Sequence, residues 1–249
     1  SRFAAHHPKV QILDQPKLSD AQLVIARELG YRSWPDLKNH YDLIHQTEQD
    51  ISNHLPLDCK RTLHLRCGTD IKEVIDQCGF EGDFQEIINP FTLGPVPLPE
   101  PIGDFVTARE NFIKNYFKGY IPEEIKNQST DAISITEKEE TFIRSLPQQY
   151  TRIVLWLEYD AYDQLCLTHL LWHFKRLNLK GATLELIQVE QFPGLERFIG
   201  IGQLSSMPAV IRSLWQSRQP INQSLINCGE SFWNAYTSGS AQQLFNIVK

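Results

Sequence analysis

The chain has 249 residues, 41% of them hydrophobic and 22% charged, an ordinary globular composition with room for one large domain or two smaller ones. Its formal net charge of −6 argues against broad electrostatic attraction to nucleic acid or to an anionic membrane. No apolar run approaches the roughly 20 residues that span a bilayer and the N-terminus has no signal-peptide core, so a soluble cytoplasmic protein is expected.

The first periodic stretch is helical. Leu18, Ala21, Leu23, Val24, Ile25 and Leu29 recur at helical spacing, and Gly30 stands where a glycine ends a helix. Ser33, Pro35 and Asp36 read as a new start: a serine N-cap, a proline in the first turn and an acidic residue three positions after the serine. Leu37, Tyr41 and Ile44 form the expected buried stripe of this second helix. The pair is too short for a core of its own. Residues 1–55 are therefore assigned to an N-terminal helical hairpin and 56–249 to an α/β domain with C-terminal helices, with the polar stretch from Thr47 to Pro56 as linker. His6, His7, His40 and His45 are scattered, a spacing that favours surface histidines over a metal site.

Leu63 to Cys67 predicts a strand, and Gly68, Thr69 and Asp70 a tight turn into a helix from Ile71 to Gln77, with the threonine or aspartate as cap. The CGTD turn lacks the repeated glycines and the lysine of nucleotide-binding loops, which favours a structural turn over a phosphate site. Phe84 to Ile88 predicts another strand. The proline-rich loop that follows, Asn89 to Pro97, is either a pocket wall containing Gly94 and Pro95 or turn chemistry alone. Arg109 falls on a helix with Phe112, Tyr116 and Phe117, as an anion contact or, more commonly, a surface ion pair. Residues 118–134 are polar and irregular, a flap or a plain connection, and a helix over Glu137 to Ser145 leads back to the sheet.

The densest stretch is Thr151 to Phe174, TRIVLWLEYDAYDQLCLTHLLWHF. Ile153 to Leu157 is apolar without polar alternation, which predicts a parallel strand covered on both faces. From Cys166 onward Leu167, Leu170, Leu171 and Phe174 recur at three and four, so the period turns helical. Glu158, Asp160 and Asp163 fall at that change, the place where open α/β sheets bind ligands. An aspartate there can simply cap the helix, but a cap needs one carboxylate and there are three. Ala182 to Val189 predicts the next parallel strand. The fold class is thus α/β, a mostly parallel central sheet flanked by helices. His169 and His173 share a helix face, yet the zincin glutamate is missing, which favours packed or hydrogen-bonded histidines over a metal pair. In the loop from Phe192 to Leu204, Arg197 is the candidate to hold an anion. Ser205 or Ser206 is expected to cap a helix through Val210, Leu214 and Trp215, and a last helix carries Phe232, Trp233 and Tyr236. Cys59, Cys67, Cys78, Cys166 and Cys228 are odd in number with no CxxC pair, so reduced, mostly buried thiols are expected.

Taken in order, RCGTDI, the NPFTLGPVP loop, VLWLEYDAYDQL and RFIGIGQLS resemble the bacterial α/β family known as DUF1835, and IARELGYRSWPDLKNH resembles the helical segment that precedes this domain in some members. The resemblance runs from Arg61 to about Leu214 and is most specific in DAYDQL. Asn89, Leu157 and Tyr159 depart from it, where the family pattern implies aspartate, phenylalanine and histidine; the missing carboxylate at 89 weakens any metal site built on it. The resemblance implies a shared site and names no reaction.

Two functions are open at this point. In the first, Asp70, Glu158, Asp160 and Asp163 converge at the strand ends with Arg197 and Arg109 opposite, and Gly68, Thr69, Gly94, Pro95 and Gln164 complete the ligand site. The ligand would be small and anionic or nucleotide-like. Hard carboxylate oxygens favour Mg²⁺ or Mn²⁺ as an accompanying ion, and Asp160, Asp163 or Glu158 would act as general base in hydrolysis or group transfer. In the second, the helical surfaces bind a protein partner without catalysis, and the acidic cluster caps a helix and pairs with arginines.

Overall fold

Ile153, Val154, Leu155 and Trp156 are sealed from solvent, and the strand they build lies in the middle of the sheet. The computed structural model describes residues 5–6, 17–116, 134–179, 181–195 and 197–248. The strands are β1 (Thr62–Cys67), β2 (Asp83–Ile87), β3 (Arg152–Trp156), β4 (Thr183–Ile187) and β5 (Gln219–Pro220), in the spatial order β2-β1-β3-β4-β5. The first four are mutually parallel, with Arg66 level with Trp156 across the β1–β3 ladder. β5 is antiparallel to β4 and only two residues long, too short to leave a period in the sequence. The helices are α1 (Leu18–Glu28), α2 (Trp34–Ser52), α3 (Lys72–Gln77), α4 (Ile102–Tyr116), α5 (Ile135–Gln149), α6 (Ala161–Arg176), α7 (Pro208–Leu214), α8 (Gln223–Thr237) and α9 (Ala241–Val248). The protein is therefore α/β with a mostly parallel central sheet, and among the described residues no helix is long and apolar enough to cross a membrane.

The chain divides into two units, each assembled from separate segments. Unit 1 comprises residues 1–59, 70–81 and 188–217; unit 2 comprises residues 60–69, 82–187 and 218–249. The helical hairpin thus shares its unit with α3 and α7.

Unit 2 holds the sheet. Its core joins Leu63 and Leu65 of β1, Ile153 and Leu155 of β3, and Leu170 of α6 to Ile143 of α5 and Trp233 of α8, each side chain contributing about 1.5–3 kcal/mol by leaving water. α8 lies close on α6 because position 229 is glycine: a Cβ there would run into the Leu171 side chain. The loop after β2 wraps around Arg109, which is fully buried rather than on the surface. Its guanidinium donates to Asn89 Oδ1 (2.8 Å), Leu93 O (2.7 Å), Pro90 O (2.9 Å) and Pro95 O (3.0 Å). A proline-rich segment has carbonyls but few strand partners, so one five-donor side chain satisfies them together. The expected flap or connection at 118–134 lies outside the described residues except for Ser134, which caps α5 by accepting the Glu137 N–H at 3.1 Å.

In unit 1, α1 ends as its glycine predicts, Gly30 taking φ 83°, and Ser33 caps α2 by accepting the Asp36 N–H at 3.3 Å. Four expectations are corrected. The polar stretch from Thr47 is not a linker but the continuation of α2 to Ser52; Thr47 is the buried residue of that helix and donates to Ala209 O at 3.0 Å. Tyr41 lies off the inward stripe, 67% exposed, its ring stacked on His45 at 6.3 Å. Neither Thr69 nor Asp70 caps α3: Ile71, fully buried, takes the cap position and fixes the turn by packing. Neither Ser205 nor Ser206 caps α7, because Met207 occupies the cap and Pro208 starts the helix with its preset φ. No disulfide joins the cysteines among the described residues; Cys78 and Cys166 are buried and Cys67 half-buried, while Cys59 and Cys228 are exposed.

Candidate functional site

β3 stops at Trp156 and the chain runs through Leu157 to Asp160 before α6 begins. Asp160, in extended conformation, accepts the N–H groups of Tyr162 (2.8 Å) and Asp163 (3.0 Å) on one oxygen, satisfying donors that a first turn leaves free. Asp163, one turn in and buried, turns back and accepts the Glu158 N–H at 2.7 Å. Gln164 donates its amide to the Glu158 carbonyl. The acidic segment is thereby folded onto itself.

Its charge is met by a residue that sequence reasoning read only as a strand position. Arg66, buried in β1, places Nη2 2.6 Å from Glu158 Oε1 and Nη1 3.3 Å from Asp163 Oδ2, while Nη1 also donates to Trp156 O at 3.1 Å. The strand pairing that puts Arg66 beside Trp156 aims its guanidinium past the end of β3. The signal available in the sequence was an arginine inside the otherwise apolar TLHLRC strand, since a buried cation requires partners. Carboxylate oxygens of Glu158, Asp160 and Asp163 lie within 4.8 Å of one another, a spacing open to a hard divalent ion. With Arg66 counted, the group carries a formal charge of −2. Burial, reinforced by the neighbouring Asp160, pushes the Asp163 carboxyl up to about 6 despite Arg66 and the Glu158 N–H. The Cys166 thiol, together with burial, pushes the Cys67 thiol far up, so it stays protonated and is a poor nucleophile.

The remaining predicted residues divide by unit. Gly68 follows β1 with φ 93°, donates its N–H to Ile87 O at 3.2 Å and has open space where a Cβ would stand; Thr69 beside it is exposed. Gly94 packs on the Phe112 ring and Pro95 offers its carbonyl to Arg109, so both serve the loop around that arginine. Asp70 and Arg197 belong to unit 1, both exposed, with the Asp70 carboxylate against Gly202.

A second polar group lies deeper in unit 2. His169 and His173 are buried, as their place on the apolar helix suggested, and both meet Glu140 of α5, also buried. His169 Nε2 is 2.9 Å from Glu140 Oε1 and His173 Nε2 is 3.2 Å from Oε2. Burial works to raise the Glu140 carboxyl, but His169 and His173 more than offset it and hold it well below the usual range. Burial lowers His173 to about 4. The spacing of the histidines was legible; Glu140, on another helix, had no sequence signal. Comparison of the chain with protein-family models, curated proteins and solved structures found no match.

Proposed function

We propose that unit 2 binds a small anionic or nucleotide-like ligand at the carboxyl ends of β1 and β3, through Mg²⁺ or Mn²⁺ held by Glu158 and Asp160, for hydrolysis or group transfer, and that the chain is a DUF1835-type protein of bacterial cytoplasm. The observation that carries this proposal is the gathering of three carboxylate oxygens within 4.8 Å at the strand ends, on a frame preset by Arg66. The formal charge of −2 there repels a bare anion, so a divalent ion is what lets an anionic ligand approach. Asp160 is the exposed member and the natural contact for that ion, while Asp163 and Arg66 hold the frame. Asp163 is occupied by Arg66 and the Glu158 N–H, and Glu158 Oε1 by Arg66 at 2.6 Å, so the general base of a hydrolysis would be Asp160 or the other oxygen of Glu158.

Asp160→Asn separates binding from folding, because asparagine caps a helix about as well as aspartate while losing the charge. Thermal shift of the full chain with Mg²⁺ or Mn²⁺, alone and with nucleotides or phosphorylated metabolites, should show stabilisation in the wild type that Asp160→Asn loses, with the unliganded midpoint unchanged. Equal shifts in the two proteins would refute the role of this cluster, and no shift in either would refute the ligand class. A second reading, a protein-binding module, is favoured by the exposed apolar residues of the hairpin, Leu18 at 75% and Tyr41 at 67%. A pull-down that depends on Tyr41 in a protein with no ligand response would decide for it.

A further inference from the structure

We propose that Glu140, His169 and His173 form a binding site for a divalent first-row transition ion, with Zn²⁺ the ion that the donor set fits. The proposal does not depend on the strand-end carboxylates, which sit at the opening of α6, whereas His169 and His173 come two turns and more further along it.

The spacing of the donors is the first support. The donor separations are 2.9 Å (His169 Nε2 to Glu140 Oε1), 3.2 Å (His173 Nε2 to Glu140 Oε2) and 3.2 Å between the two Nε2 atoms, Glu140 meeting each histidine with a different oxygen. Ligands held about 2.0–2.1 Å from a tetrahedral ion stand about 3.3–3.4 Å from one another. The side chains are thus gathered at nearly the separations that one shared ion imposes.

The second support is that protons alone satisfy this triangle poorly. If both Nε2 atoms carry hydrogens toward Glu140, two N–H groups face each other across 3.2 Å. If one Nε2 is bare, it accepts from the other ring but turns its lone pair against a carboxylate oxygen about as near. With Glu140 ionised, as the two histidines hold it, one edge always joins like partners. An ion at the centre removes the conflict, since two imidazole lone pairs and a carboxylate then point at the same positive charge. Glu140 Oε2 and His169 Nδ1 have no hydrogen-bond partner among the described residues, and Arg144 Nη2 stands 3.8 Å from Glu140 Oε2.

The surroundings give the third. Glu140 and His169 are each 1% exposed and His173 2%, and the rings of Phe91, Phe105 and Trp233 pack on His169 while that of Trp172 packs on His173. Imidazole donors select zinc-type ions over Mg²⁺ or Ca²⁺. Three protein ligands leave one tetrahedral position for water or a small ligand.

The test is the metal content of the full chain purified without chelator from Zn²⁺-supplemented culture. About one Zn²⁺ per chain is expected, falling at least tenfold in His169→Gln and His173→Gln, and chelation should lower the thermal midpoint of the wild type. Protein grown with Co²⁺ should show visible bands of a tetrahedral nitrogen–oxygen site. Wild-type protein holding under about 0.1 ion per chain would overturn the proposal. So would full Zn²⁺ content in both histidine variants, or a thiolate-to-cobalt charge-transfer band, which would put the ion on cysteine. If the variants do not fold, the wild-type content and the cobalt spectrum decide the matter alone.

Discussion

Arg66→Met removes the guanidinium while keeping an unbranched stem in β1, and it leaves Glu158 and Asp163 facing each other without the cation between them. Two unit charges at the 4.8 Å limit of their separation repel by about 3.5 kcal/mol at an effective dielectric constant of 20. Independently, stripping one partner from a buried ion pair costs about 3–5 kcal/mol. The two estimates agree. For a chain of this length the loss corresponds to a fall in the thermal midpoint on the order of 10 °C. The cost should depend on pH in a defined direction. In the variant burial acts on the Asp163 carboxyl without the cation that opposed it, so Asp163 favours the neutral form: stability is present below its unfolded value near 4 and is lost as pH rises through the raised one. Urea denaturation followed by far-UV circular dichroism at pH 4.5 and pH 7.5 should therefore give a small penalty at the lower pH and the full penalty at the higher. A penalty under about 1 kcal/mol at pH 7.5, or one equal at both, would refute the idea that Arg66 is the buried counter-charge of this site.

Arg109→Met should be at least as damaging, since it orphans the carbonyls of Pro90, Leu93 and Pro95 at about 1–3 kcal/mol for each that stays dry; hydrogen exchange over residues 89–97 should accelerate, and unchanged exchange there would return Arg109 to a peripheral role. In the wild type, Asp163 is raised to about 6, so its contribution is fully present below the unfolded value near 4 and fades as pH climbs to about 6. Asp163→Asn should remove that component, making stability between pH 4 and pH 6 less favourable to the acid side than in the wild type. Identical slopes in the two proteins would show that the carboxyl is not held up by its surroundings.

The sheet was legible because burial on both faces leaves an unbroken apolar run, and Ile153–Leu157 could hardly be anything else. The acidic turn was legible for a related reason: its four polar residues lie within one short segment, so their meeting is a local event. What was hidden depends on distance along the chain. Arg66 reaches Glu158 from 92 residues away, and Glu140 meets the histidines only because α5 and α6 pack together. The place of Arg109 was misjudged because a cation in the core is rare by composition, and the carbonyls it serves become visible only when the loop is folded around it. Tyr41 failed for lack of resolution in the pattern itself, since an inward stripe through Trp34, Leu37, Ile44 and Thr47 passes within one residue of it.

The roof of the histidine cage comes from late in the chain. Trp233, 4.8 Å from the His169 ring and 5.2 Å from Phe91, rides on α8 and follows Arg176, the last residue of α6, by 57 residues. At a synthesis rate of roughly 5–20 residues per second, a nascent chain waits about 3–11 s between completing α6 and covering these rings. During that interval the apolar face of α6 and its two imidazoles are open to the cell, so a chaperone that shields this helix, or an ion that reaches it before the lid arrives, would act during biosynthesis rather than on the finished protein.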